Sequence, residues 1–169
     1  DFIYTFNDTN INYVFKNGDS FDLRRSNVVF FHKYHNTIAQ TYKVLSYHHG
    51  HITTNGKSAY IMKNPIWRIE ENGKEYILMY CETNTICKLC PISYQKVLDF
   101  ENKHIKKHSF YKHSNGYIGC CNNLYIHQII TGCYGNGRGT KNISIDHIDQ
   151  DPLNNSFENL RISTRKEQE

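Results

Sequence analysis

The stretch SIDHIDQDPLNNSFENLRISTRKEQE, residues 144–169, gathers a histidine, several carboxylates and a run of amides into one short segment. Asp146 and His147 are adjacent in it. A carboxylate is a hard oxygen donor suited to Mg²⁺ or Mn²⁺. A neutral imidazole is the usual general base near neutral pH. Together they are suited to hold a divalent ion on a phosphate and deprotonate water for in-line attack. Neighbours on a strand point to opposite faces, so a twist or bulge at a strand end is needed for both to serve one site. Asp151 and Pro152 then make a turn, which Asn154 and Asn155 cap by bonding their own backbone. Asn159 sits where the chain turns back, and its amide ties the loop to the next segment and so orients the histidine. Arg161, Arg165 and Lys166 follow, placed for DNA phosphates. For the Asp-His pair alone, the plainer reading is a solvated loop with a satisfied histidine.

These groups need a scaffold. NVVFFHKYH, residues 27–35, contains a strand, and NTIAQTYKVL, residues 36–45, reads as a short helix capped by Asn36. YHHGHITTNGK, residues 47–57, is a turn-rich loop. IWRIEENGKEYILMYC, residues 66–81, has two β-like runs around Asn72-Gly73, a strong hairpin signal. CKLCPISYQKVLDFENK, residues 87–103, reads as a turn and then a helix with Pro91 in its first turn and Tyr94, Val97, Leu98 and Phe100 on its apolar face. NGYIGCCNNLYIHQII, residues 115–130, reads as a hairpin turning at Asn122-Asn123. GCYGNGRGTKN, residues 132–142, is a glycine-rich loop. ISIDHID is a short strand, and FENLRISTRKEQE begins a second strand or a helix. The fold class expected is α+β, with small antiparallel hairpins and short helices. Residues 1–63 form an N-terminal region without an assigned role, and residues 64–169 the domain that carries the chemistry.

The 169 residues carry a net charge of +4, and residues 101–169 hold nine Lys/Arg against seven Asp/Glu. That balance permits a polyanionic partner without demanding one. The abundance of Asn, Lys, Tyr and Ile also fits an A/T-rich genome, which weakens arguments from any one of them. No apolar run approaches the roughly 18 residues of a membrane span, and no signal peptide is expected at DFIYTFNDTN. A soluble intracellular protein is expected, and its start at Asp rather than Met is consistent with a missing or processed N-terminus.

The six cysteines then read as reduced thiols or a metal site before disulfides. Cys81, Cys87, Cys90 and Cys120 are candidates for a structural Zn²⁺, although the single Cys-x-x-Cys step makes buried free thiols the plainer reading. Lys103, Lys106, Lys107 and Lys112, interleaved with His104, His108, Phe110, Tyr111 and His113, suit a nucleic-acid backbone or a solvated connector. Arg138 and Lys141 lie in the glycine-rich loop, where a phosphate can approach closely. Arg24-Arg25 reads as a surface pair, and His48, His49 and His51 as loop histidines.

The ordered string DHIDQDPLNNSFENLRISTR resembles the HNH endonuclease motif, in the version found in homing endonucleases of phages and large DNA viruses. Upstream, NGYIGCCNNLYIHQIITG resembles the hairpin and His-bearing stretch that precede the motif, and MYCETNTICKLCPISYQKVL the segment before that. The likeness covers residues 76–169. It implies a ββα-metal site, two short strands and a helix around one divalent ion, Mg²⁺ or Mn²⁺. It implies His147 as general base, Asp146 as metal ligand and Asn159 as the structural middle member. The helix ligand, commonly Asn or His, falls on Gln168 here, a departure from the family pattern. The family helix would run past Glu169, so the chain is expected to stop inside it. The implied protein is a metal-dependent endonuclease acting on double-stranded DNA, encoded by a virus and acting in the infected host cell or carried in the virion. The rival expectation is a degenerate HNH fold that binds DNA or serves a virion structurally, and a weaker one is a zinc-stapled interaction module.

Overall fold

The computed structural model describes residues 11–19, 21, 23–24, 28–48, 63–81, 84–104, 108–120, 124–133 and 143–164. The centre of the molecule is a four-stranded antiparallel sheet in the order β3 (Lys43–His48), β4 (Ile66–Glu71), β5 (Lys74–Cys81), β6 (Thr85–Leu89). β4 and β5 meet at the expected Asn72-Gly73 turn, where both residues have positive φ, 53° and 78°. That is the backbone a two-residue hairpin with right-handed twist requires.

Both faces of this sheet are covered, which explains the continuous apolar run of β5. Ile77, Met79 and Cys81 point into one core, with Ile66, Cys87 and Leu89. Leu78 and Tyr80 point into the other, with Trp67 and Ile69. Strand alternation alone produces this division. The second core is closed by α1 (His35–Thr41), which buries Ile38. The first is closed by α2 (Pro91–Lys103), through Tyr94, Val97, Leu98 and Phe100, and by α3 (Ile126–Thr131). Pro91 occupies the first turn of α2 as expected, and the Cys90 sulfur caps it by accepting from the Ser93 N–H. A short ribbon, β1 (Ile11–Phe15) with β2 (Val28–His32), precedes the sheet.

Two expectations need correcting. The helix expected over 36–45 is α1, which starts at His35 after Tyr34, and Asn36 lies within its first turn without capping it. The chain from Lys43 leaves the helix because it zips onto β4, Lys43 opposite Glu70 and His48 opposite Ile66. The hairpin expected over 115–130 is only half right. Its first strand, β8 (Ile118–Gly119), pairs backwards with β7 (Tyr111–Lys112), and Ile126–Thr131 is α3. A single bridge, Gly119 to Tyr125, is what remains of the forward hairpin. The helix wins because Ile126, Ile129 and Ile130 bury one face into the core beside α2 and Gln128 closes a capping box with Tyr125. The turn at Asn122-Asn123 and the loop expected over 49–57 lie outside the described residues.

β9 (Ile143–His147) and β10 (Leu160–Thr164) form a two-stranded antiparallel ribbon, His147 opposite Leu160 and Asp146 opposite Arg161. FENLRIST therefore continues as a strand after a 3₁₀ turn at Phe157–Asn159. The class is α+β with small antiparallel sheets and short helices. No helix among the described residues is long and apolar enough to cross a membrane.

Candidate active site

The loop between β9 and β10 is built almost entirely from its own amides and carboxylates. Asn159, buried, makes three bonds: its Oδ1 accepts from the Asp149 N–H at 3.1 Å, and its Nδ2 donates to Asp149 Oδ1 at 2.9 Å and to the Asn154 carbonyl at 2.8 Å. Asp149 gathers donors from Asp151 N, Asn154 Nδ2 and Asn159 Nδ2. Partial desolvation works against its charge, but these hydrogen bonds and His147 outweigh it and hold the carboxyl below its ordinary range. Gln150 turns with φ of 63°. Asn154 caps the loop as expected, accepting from Ser156 N and Oγ.

Asn155 does something else. It is fully buried and reaches across the fold. Its Nδ2 donates to the Pro152 carbonyl at 3.2 Å and to the Cys87 sulfur on β6 at 3.3 Å, and its Oδ1 lies 2.9 Å from His147 Nε2. The loop is stitched to the same strand by backbone bonds, Lys88 N to Leu153 O and Asn155 N to Lys88 O, both 2.7 Å.

His147 ends β9 with its ring mostly buried. Tyr117 stacks on it at 5.9 Å between centroids, and His127 meets it edge-on at 5.4 Å. Burial, then the proximity of His147, push His127 down to about 4. It is therefore neutral beside His147 at neutral pH. Asp146, half-exposed, takes Ser163 Oγ at 3.2 Å and Arg161 Nη2 at 3.4 Å on one oxygen.

Asp146 and His147, consecutive on the strand, both line one open cleft of about 600 Å³, together with Arg161, Tyr117, Asn115 and Gln150. The strand-end position of His147 before the turn provides this: its ring turns inward to Asn155 while still lining the cleft.

Residues 125–169 match the sequence profile of the HNH endonuclease family. No curated protein and no solved structure matches the chain. The similarity lies in this C-terminal segment, and the family it points to is that of HNH endonucleases, which are in general nucleases.

HNH nucleases typically use a divalent metal. The donor chemistry here fits a hard cation to the extent of one ligand: the Asp146 carboxylate opens on the cleft, and its neighbours are long, partly exposed contacts that are weak competitors. Among the described residues no three or more His, Cys, Asp or Glu side chains converge as a metal cluster. Gln168, Arg165 and Lys166 lie outside the described residues, as do Arg138 and Lys141. Arg161 is present and exposed, opposite Asp146.

The four candidate zinc cysteines are not brought to one point, and three of them serve the fold in separate places. Cys81 donates to the Met79 carbonyl. Cys87 is fully buried, and burial pushes its thiol up to about 12, against the bond from Asn155. Cys90 caps α2 and also accepts from Phe157 N at 3.2 Å. Cys120 is buried in the core beneath α2 and α3.

Sequence reasoning gave Asn155 only a local capping role, and gave none to His127, Tyr117 or Asn115. The isolated histidine in the apolar run YIHQII was a signal for His127. Nothing in the sequence joins Asn155 to Cys87, 68 residues away.

Proposed function

We propose that this protein is a divalent-metal-dependent DNA endonuclease of the homing type, hydrolysing phosphodiester bonds of double-stranded DNA. The observation that carries the reading is that Asp146 and His147 open on a single cleft with Arg161 beside them. Neutral His147 accepts the proton of the attacking water. Arg161 sits across from Asp146, where its guanidinium can hold a phosphate oxygen in a fixed fork. Asn159 keeps the loop closed so that the histidine ring stays presented to the cleft. Asp146 would hold the ion, with Gln168 as the second ligand that the resemblance assigns, and the ion when bound supplies charge stabilisation at the phosphate. Arg138, Lys141, Arg165 and Lys166 are assigned to the DNA backbone on the strength of sequence alone.

The test is nicking or linearisation of supercoiled plasmid with Mg²⁺ or Mn²⁺. The chain is expected to cut, His147→Ala to lose at least about 10²-fold in rate, and Arg161→Ala to weaken binding and cutting together. Steeply salt-dependent DNA binding without cleavage at any metal concentration would overturn the enzyme and leave a DNA-holding HNH fold.

A further inference from the structure

We propose that Asn155 is a positioning residue that sets the tautomer of His147, placing the ring proton on Nε2 and leaving Nδ1 as the atom that takes the proton from water. The catalytic part of this rests on the nuclease reading above. The tautomer is a property of the free protein.

Pro152 fixes the direction of the Asn155 amide. A carbonyl oxygen accepts and never donates, so the end of the Asn155 amide 3.2 Å from it must be the NH₂ group. The same nitrogen lies 3.3 Å from the Cys87 sulfur, which a second amide hydrogen satisfies. The other end of the amide is then oxygen, which can only accept. It lies 2.9 Å from His147 Nε2, so Nε2 carries a hydrogen. A neutral imidazole has one ring proton, and Nδ1 is left with the lone pair.

Flipping the amide would set its oxygen against the Pro152 carbonyl, two acceptors with no hydrogen between them. Asn155 is fully buried, so water cannot relieve that contact. Its backbone is pinned to β6 through the Lys88 carbonyl. Tyr117 and His127 pack against the His147 ring, which hinders a flip that would exchange its two nitrogens. Asn159, by contrast, bonds only to the loop. The two amides thus have separate duties, one to the loop and one to the ring.

Long-range ¹H–¹⁵N spectra of the full chain at about pH 8, above the ordinary imidazole range, decide the point. His147 signals are identified by their loss in His147→Gln. The wild type is expected to show the Nε2–H pattern, Asn155→Asp to keep it because an acceptor remains, and Asn155→Leu to lose it in favour of Nδ1–H. In plasmid cleavage Asn155→Leu is expected to lose roughly 10²-fold in kcat with little change in KM, and Asn155→Asp to recover much of that. A wild-type ring protonated on Nδ1, or an Asn155→Leu ring unchanged from wild type, overturns the proposal. The wild-type spectrum is decisive even where Asn155→Leu does not fold. A ring with the expected tautomer in a chain that cuts no DNA supports this inference and removes the nuclease reading alone.

Discussion

Asn159 carries three hydrogen bonds from a buried position. Replacing it with alanine leaves the Asp149 N–H and the Asn154 carbonyl without their partner. The expected cost is about 2–3 kcal/mol, from the unmet backbone groups, read as a drop in the chemical-denaturation midpoint. Cleavage should fall with it, since the loop that carries Asn155 loosens. His127 has a different signature, in pH. Its folded value of about 4 lies below the ordinary 6.5. Above about pH 6.5 the ring is neutral in folded and unfolded chains alike, and its contribution is fully present. As pH falls toward 4 the unfolded chain takes up a proton that the folded one refuses, and stability drops by roughly 1.4 kcal/mol per unit. Denaturation midpoints across that range should fall steeply for the wild type and more gently for His127→Phe. At this scale the sequence was informative where chemistry is local: Asp146, His147, Asn159 and Arg161 all sit in or beside one loop. It gave Asn155 only a local cap, because the Cys87 sulfur and the His147 ring that its amide meets are brought to it by the fold.

The elements meet at Cys90. Its sulfur caps α2 through Ser93 N and accepts from Phe157 N in the turn before β10. Burial works to raise this thiol, and the bonds from Ser93, Phe157 and Ile92 outweigh it, so the net direction is down. Cys90→Ala is expected to cost about 1 kcal/mol through the lost cap, measured by thermal unfolding, with no change in bound zinc by elemental analysis. Hairpin chemistry was legible where the turn residues dictate backbone, as at Asn72-Gly73. It misled over residues 115–130, where local strand preference lost to tertiary packing. Ile126, Ile129 and Ile130 bury more as a helix against α2 than a short second strand could. The same competition, resolved the other way, pulled Lys43 and its successors out of a helix and onto the edge of the sheet.

For the molecule as a whole, the matched segment 125–169 is not self-sufficient in its contacts. Its loop hangs on β6, and α3 buries its apolar face against residues of α2 and the central sheet. A peptide of residues 125–169 is expected to give an unfolded circular-dichroism spectrum. A 64–169 chain should retain the cleft but lack β3 and α1, which help close the second core around Trp67. Trp67, fully buried in the full chain, should then show red-shifted fluorescence and a lower melting temperature. The expected boundary at residue 63 thus falls within one hydrogen-bonded sheet, because β3 lies before it and β4 after it. Strand pairing between segments distant in sequence leaves no local mark, which is why the sharper strand patterning from residue 64 suggested a division there.

The stitch between β6 and the loop has a genetic corollary. A loss-of-cleavage screen would return lesions at Cys87, 68 residues before Asn155 and outside the matched segment 125–169. A bulky replacement there should phenocopy a damaged histidine while sparing the folded sheet's outer face. Such an allele would look unrelated to the catalytic segment on a linear map, and it should be suppressible by second-site changes in the Pro152–Asn155 loop rather than by neighbours in its own strand.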